Sequence, residues 1–271
     1  KERAIFKLFS LGVVTNRDEW VYSDDTATLI RKTEHIITKY NADLAKLSMV
    51  RNSNNLTDML DTSIKWTRAV KNDLRRGIGY ELDESAVETS YYRPFVKRQL
   101  YFSRQLNEMV YQVPQLFGKT AGANRAFCFA AEDRSAFGVI ALDTLPNKDI
   151  FMPSAAQVLA LYRFEDGQRY DNITDWALKQ FSAHYADEIG KGKTAQKITK
   201  ETVFHYCYAV LHDPVYREKY AQNLKREFPR IPFYPDFWQW AAWGEALMAL
   251  HIGYEAVAPF PLTLTDTPDE K

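Results

Sequence analysis

Ala126-Phe127-Cys128-Phe129-Ala130 is an unbroken apolar run, followed by two more, Phe137 to Leu142 and Val158 to Phe164, with Leu100-Tyr101-Phe102 upstream. Each is short and bounded by Gly, Pro, Asn or Asp, which is how strands rather than helices are punctuated. They make Gln99 to Phe164 the strand-rich centre of the chain. Outward from it, in the N-terminal direction, the apolar positions change period. Leu29, Ile36, Ile37, Tyr40, Leu44 and Leu47 recur at helical spacing between Thr28 and Val50, and Met59, Leu60, Ile64, Trp66, Val70 and Leu74 repeat the pattern between Leu56 and Arg76. Nearer the start, Ile5, Phe6, Leu8 and Phe9 suggest a short helix ending at Ser10-Leu11-Gly12. Val13, Val14, Trp20, Val21 and Tyr22 suggest a hairpin around Asn16-Arg17-Asp18. Beyond Asp166-Gly167 four helices are expected, at Ile173 to Ile189, Thr199 to Leu211, Pro214 to Phe228 and Trp238 to Tyr254, with an extended tail from Pro259 to Lys271. The expected fold class is α+β: a mixed centre of short strands flanked by an N-terminal helical segment and a helical C-terminal part. A soft division near residue 166 separates a core at 1–165 from a mainly helical part at 166–271, as two units or one continuous domain.

The 271 residues carry 35 Lys and Arg against 35 Asp and Glu, so the net charge is zero and names no partner. A hydrophobic fraction of 46% with 26% charged residues is that of ordinary folded domains and excludes disorder, collagen and a disulfide scaffold. The two cysteines, Cys128 and Cys207, lie in apolar stretches without zinc-ligand spacing and read as reduced core thiols of a cytoplasmic protein. The apolar stretch Trp240 to Gly253 is broken by Glu245 and His251 and is shorter than the roughly 20 residues of a membrane span. The opening at Lys1 has no signal-peptide order and reads as a piece of something longer.

Catalytic motifs fail one by one. Gly118-Lys119-Thr120 and Gly192-Lys193-Thr194 have Val113 and Asp187 where a phosphate loop needs its first glycine. Asp213-Pro214-Val215-Tyr216 has Val215 in place of the second proline of an adenine-methyltransferase loop, and reads better as a helix cap followed by proline at the first turn. His251 and Glu255 are spaced as a metal-ligand pair without a third ligand. There is no G-x-S-x-G elbow, and after Pro235-Asp236 the glutamates Glu245 and Glu255 lack the lysine of a nuclease core.

The local charge says more than the total. From Thr89 to Ala131, Arg93, Lys97, Arg98, Arg104, Lys119 and Arg125 face the single acid Glu108, interleaved with Tyr91, Tyr92, Phe95, Tyr101, Phe102, Tyr111, Phe117, Phe127 and Phe129. Guanidinium groups neutralise phosphates or pair with guanine edges, and planar side chains stack or wedge, so this is the make-up of a nucleic-acid surface. The same make-up also fits aromatics in a core with solvated arginines around it. Lys191, Lys193, Lys197 and Lys200 form a second basic run, and Arg217, Lys219, Lys225, Arg226 and Arg230 a third.

Several ordered stretches carry a resemblance. Phe6-Lys7-Leu8-Phe9-Ser10-Leu11-Gly12-Val13-Val14-Thr15-Asn16-Arg17-Asp18-Glu19-Trp20-Val21-Tyr22 comes first, then Tyr91-Tyr92-Arg93-Pro94-Phe95 with Leu100-Tyr101. Val203 to His212, Pro214-Val215-Tyr216-Arg217-Glu218-Lys219-Tyr220, Lys225 to Pro232 and Leu250-His251-Ile252-Gly253-Tyr254-Glu255 follow. In this order they resemble the C-terminal specificity region of type ISP restriction-modification enzymes, single polypeptides combining nuclease, translocase, adenine methyltransferase and target-recognition parts. The resemblance spans nearly the whole chain. It implies a segment that reads duplex DNA for methylation and cleavage carried out elsewhere in the polypeptide. S-adenosylmethionine, ATP and Mg would then serve the other parts, and this chain would hold no cofactor and no catalytic residue. The family's chains run on past the Leu-His-x-x-Tyr-Glu stretch, so a further terminal piece of the recognition region is implied.

The expected function is sequence-specific recognition of duplex DNA beside the methyltransferase and translocase domains, with no membrane. Arg93, Lys97, Arg98 and Arg104 are the first candidates for contact; Asn16, Arg17, Arg125 and Arg134 are secondary, and Lys191 and Lys193 would track the backbone. Arg93-Pro94-Phe95, being part of the family pattern, also fits a scaffold role. Two rival functions stay open: a docking scaffold that couples methyltransferase to motor, and a carbohydrate-binding or hydrolytic domain built on the aromatics and on pairs such as Asp236 and Glu245.

Overall fold

In the computed structural model, which describes residues 3–49, 60–118, 124–130, 136–188 and 197–262, every residue of the Ala126–Ala130 run is buried. A strand with no polar face is covered on both sides, and the two hydrophobic clusters divide this one by parity. Ala126 and Cys128 face one cluster with Ile140, Leu142, Ala156, Val158 and Ala160. Phe127 and Phe129 face the other with Val139, Ala141, Leu159 and Leu161.

In chain order the elements are β1 (Ser10–Leu11), α1 (Asp18–Val21), β2 (Tyr22–Ser23), α2 (Thr26–Met49), α3 (Arg68–Arg75), β3 (Val87–Arg93) and β4 (Val96–Tyr101). There follow α4 (Val113–Phe117), β5 (Ala126–Ala130), β6 (Val139–Leu142), β7 (Leu145–Pro146), β8 (Ala156–Ala160), β9 (Tyr162–Glu165) and β10 (Gln168–Asp171). The chain continues with α5 (Asp175–His184), α6 (Lys200–His212), α7 (Pro214–Lys219), α8 (Ala221–Leu224) and α9 (Phe237–Ile252). The architecture is α+β. One antiparallel sheet has the order β1-β8-β5-β6, a second has β2-β4-β3-β7 with β7 parallel to β3, and β9 pairs with β10.

The first cluster is closed by Leu29, Ile36 and Tyr40 of α2, Val70 and Leu74 of α3, and Tyr91 and Leu100 of the second sheet. The second is closed by Phe181 of α5, Phe204 and Tyr206 of α6, and Phe237, Ala241 and Met248 of α9. α6 and α9 cross closely enough that a Cβ on Gly244 would lie 1.8 Å from the His205 carbonyl oxygen. Thr199 caps α6 with a reciprocal bond to Thr202. Asp213 accepts from the Val215 and Tyr216 amides to cap α7, as the Asp-Pro order implies.

Four expectations are corrected. Ile5 to Phe9 is extended, not helical: the Lys7 and Leu8 amides donate to the Asn172 backbone and side chain, both at 2.8 Å, and Phe6 bridges Ile173. Val13 to Tyr22 is no hairpin, because Val13 pairs with Asn147, Val14 with Met109 and β2 with β4, while α1 follows a left-handed Asn16. Between Leu60 and Thr67 helix is replaced by a local network, in which Asp61 accepts from the Ser63 amide and its carbonyl from Trp66 Nε1. Strands also extend beyond the expected centre, to β3 on one side and β10 on the other. Residue 166 lies in the β9–β10 turn, where Asp166 and Gly167 both take positive φ, 50° and 77°. The sheet face that the C-terminal helices cover is made of residues before that turn.

Candidate nucleic-acid interface

β3 and β4 pair from Val87↔Tyr101 to Arg93↔Val96, leaving Pro94 and Phe95 as the turn. Proline supplies a fixed φ at the first turn position. Phe95 takes the left-handed conformation, φ 58°, which costs energy for a bulky side chain. Its ring is held edge-on by His251 at 5.6 Å and Tyr254 at 5.3 Å, yet the residue stays 45% exposed beside exposed Val96. An exposed apolar tip between cations has the shape of a wedge.

Behind the tip the cations gather on Tyr92. The Arg93 guanidinium lies 4.0 Å from its ring centroid and that of Arg98 5.3 Å, while the Tyr92 hydroxyl donates to Asp18 Oδ2 at 3.1 Å. Arg98 donates from Nε and Nη2 to the two oxygens of Asp24, at 2.7 and 3.1 Å. That fork lowers the Asp24 pKa and raises that of Arg98. Lys97 points to the other side, 3.0 Å from Glu255 Oε2 and over the Tyr254 ring, and its hydrogen bond lowers the Glu255 pKa. Arg93 makes a different set of contacts: Nη1 donates to the Tyr92 carbonyl at 2.6 Å and to Asn147 Oδ1 at 3.4 Å, and Nη2 lies 3.2 Å from Met152 Sδ. With neutral acceptors, its charge is not cancelled by any described carboxylate. Phosphate would have to displace Asp24 or Glu255 to reach Arg98 or Lys97, but not to reach Arg93.

The other candidates are dispersed. Arg104 is exposed in the turn after β4 and ion-paired with no described residue. Arg125 pairs with Glu201 of α6 and lies 3.4 Å from His205 Nε2. Asn16 is exposed, two residues before Asp18. Arg17 is inside the protein, 1% exposed, donating from Nη2 to Thr67 Oγ1 at 2.5 Å, and burial lowers its pKa to about 10. The expectation that Arg17 sits on a surface hairpin is therefore corrected: with no hairpin there, its side chain turns inward beneath α3. Arg134, Lys191, Lys193 and Lys119 lie outside the described residues. The partners Asp24, Glu255 and Asn147 were not legible in advance, since all are far from the hairpin in sequence and nothing local marks them.

The rival chemistries lose their geometry. Asp236 caps α9 through the Gln239 amide, and Glu245 lies nine residues along, about 13 Å of helix rise; paired glycosidase carboxylates stand about 5–9.5 Å apart. His251 shares a 2.5 Å hydrogen bond with the Tyr208 hydroxyl while Glu255 serves Lys97, so they form no ligand pair. Among the described residues no group of three or more His, Cys, Asp or Glu could hold a metal ion, and no helix is long and apolar enough to cross a membrane.

The profile of the type ISP C-terminal specificity domain matches residues 4–271. The chain belongs to this family. Solved structures agree: a DrdV–DNA complex determined by cryo-EM superposes with a TM-score of 0.90 at 47% identity, covering 100% of this chain and 26% of that one. A nuclease-deletion mutant of the type ISP restriction-modification enzyme LlaGI, in complex with a DNA substrate mimic, gives 0.80 at 27% identity, covering 94% of this chain and 19% of that one. The ATP-dependent type ISP enzyme LlaBIII bound to DNA gives 0.79 at 21% identity, over 96% and 16%, and shows the shared fold. A search of curated proteins returned no match. The specificity domain thus spans about a quarter or less of the chains it resembles.

Proposed function

We propose that this specificity domain recognises a duplex DNA target on behalf of methyltransferase and translocase domains in one type ISP polypeptide, directing adenine methylation and cleavage performed by those other parts. The observation that carries the reading is the likeness, at 47% identity over all of this chain and 26% of the other, to a chain solved as a DNA complex. The hairpin supports it chemically. Arg93, stacked on Tyr92 and bonded among the described residues to neutral acceptors, can exchange them for a phosphate or the O6/N7 edge of guanine. Phe95 stands ready as a wedge, while Lys97 and Arg98 contribute by giving up Glu255 and Asp24. We assign S-adenosylmethionine, ATP and Mg to the other parts of such a polypeptide, as the family resemblance implies. A cytoplasmic location fits two buried free thiols.

Fluorescence anisotropy with a pool of randomised duplexes at low and moderate salt, followed by sequencing of the retained fraction, tests the proposal. Salt-sensitive binding with an enriched motif is expected. Binding without enrichment would move specificity to another part of the polypeptide, and no binding at low salt would favour a docking scaffold.

A further inference from the structure

Residues 65–76 read Lys-Trp-Thr-Arg-Ala-Val-Lys-Asn-Asp-Leu-Arg-Arg, five cations with one acid. α3 sorts them into a face. Val70 and Leu74 are buried on one side of the helix. At 3.6 residues per turn, Arg68, Asn72, Arg75 and Arg76 fall on the opposite side, with Lys71 at its margin. Lys65, Arg68, Asn72, Arg75 and Arg76 are exposed and Lys71 is half-buried. The acids near them are used inward. Asp73 accepts from the Tyr80 hydroxyl at 2.9 Å. The Glu108 side chain, 7% exposed, accepts from the Ala69 amide at 3.2 Å and lies 3.6 Å from Arg68, whose side chain is 80% exposed.

Helix stability does not account for this arrangement. Arg75 and Arg76 suit the negative end of the helix dipole, but Arg68 occupies the first helical position and the first turn holds no acid. Thr67 at the N-cap makes no side-chain capping bond; its hydroxyl accepts from buried Arg17 instead. The start of α3 is therefore pinned by Arg17 below and by Glu108 from the turn after β4, and positive charge stands at both of its ends. This suits an anionic surface better than water.

We infer that the outward face of α3, with Lys65, Arg68, Lys71, Arg75 and Arg76, is a second DNA contact, gripping the phosphate backbone apart from the β3–β4 hairpin. The inference rests on the reading that the chain binds duplex DNA. Eight helical residues span about 12 Å, over which a duplex carries about seven phosphate charges. The face therefore adds affinity without adding sequence preference.

The test is anisotropy of the 271-residue chain and of a variant combining Arg68→Gln, Lys71→Gln and Arg75→Gln, on an enriched and a scrambled duplex across a salt series. Loss of three contacts makes the slope of log Kobs against log salt shallower by about 2.7, at about 0.9 per contact. The weakening is equal on both duplexes. The double variant Arg68→Lys, Arg75→Lys keeps the slope, because charge rather than guanidinium geometry matters at a backbone contact. An unchanged slope in the triple variant overturns the α3 contact and leaves DNA recognition standing; weakening on one duplex alone overturns the backbone role; absence of salt-dependent binding by the unsubstituted chain overturns both.

Discussion

Arg17 and Arg93 show how little a residue's type says about its task. Both belong to stretches of the family pattern, yet one is an internal strut and the other sits on Tyr92 at the surface. Arg93→Ala should lower DNA affinity and flatten the salt slope by about 0.9, with little change in melting temperature; a lowered melting temperature with an unchanged slope would make Arg93 scaffold. Arg17→Ala removes the bond to Thr67 and leaves a cavity, and an equilibrium urea titration should show a loss of about 2–4 kcal/mol. An unchanged midpoint would mean that burying a guanidinium whose Nε and Nη1 lack partners costs as much as its packing contributes. His212 carries a pH dependence. Burial, then the charges of Arg217 and His251, depress its pKa to about 3 from an ordinary 6.5. Between those values the unfolded chain binds the extra proton, so stability is present above pH 6.5 and is lost as pH falls, by about 1.4 kcal/mol per pH unit. Urea midpoints at pH 7 and 5 should differ less in His212→Gln than in the parent chain.

At the scale of elements, long periodic helices and the apolar runs of the strand centre were readable, and the short mixed segments near the N-terminus were not. α2, α6 and α9 lie where the apolar spacing put them, and the caps of α6 and α7 follow from Thr199 and Asp213. Ile5 to Phe9 and Val13 to Tyr22 misled because a few residues of apolar pattern fit helix or strand equally, and the choice fell to backbone partners at Asn147 and Asn172. The α6–α9 crossing gives the sharpest prediction: Gly244→Ala places a methyl against the His205 carbonyl and should cost about 3 kcal/mol or prevent folding, read by denaturation or by the soluble yield. Thr199→Ala should cost about 1 kcal/mol, through loss of the bond its hydroxyl accepts from the Thr202 amide.

For the whole molecule, the shared sheet matters most. Phe127, Phe129, Leu159 and Leu161 belong to the same cluster as Phe181, Phe204 and Phe237, so the C-terminal helices pack on a surface they do not themselves supply. Residues 166–271 expressed alone should therefore bind a hydrophobic dye and lack a cooperative thermal transition; a sharp transition would show an independent unit. The zero net charge also resolves at this scale. Several cations of the strand region face carboxylates, and Arg68 of α3 faces Glu108, whereas Arg93, Arg104 and the other cations of the α3 face pair with no described carboxylate.

The amino-acid sequence by itself determined the strands of the centre, the long helices, the two buried thiols and the family, because each is written in local period, composition or ordered motif. Tertiary structure alone decided which cations are available. Arg98 meets Asp24 from 74 positions away and Lys97 meets Glu255 from 158. An ion pair is set by distance through space, which the order of residues along the chain does not encode.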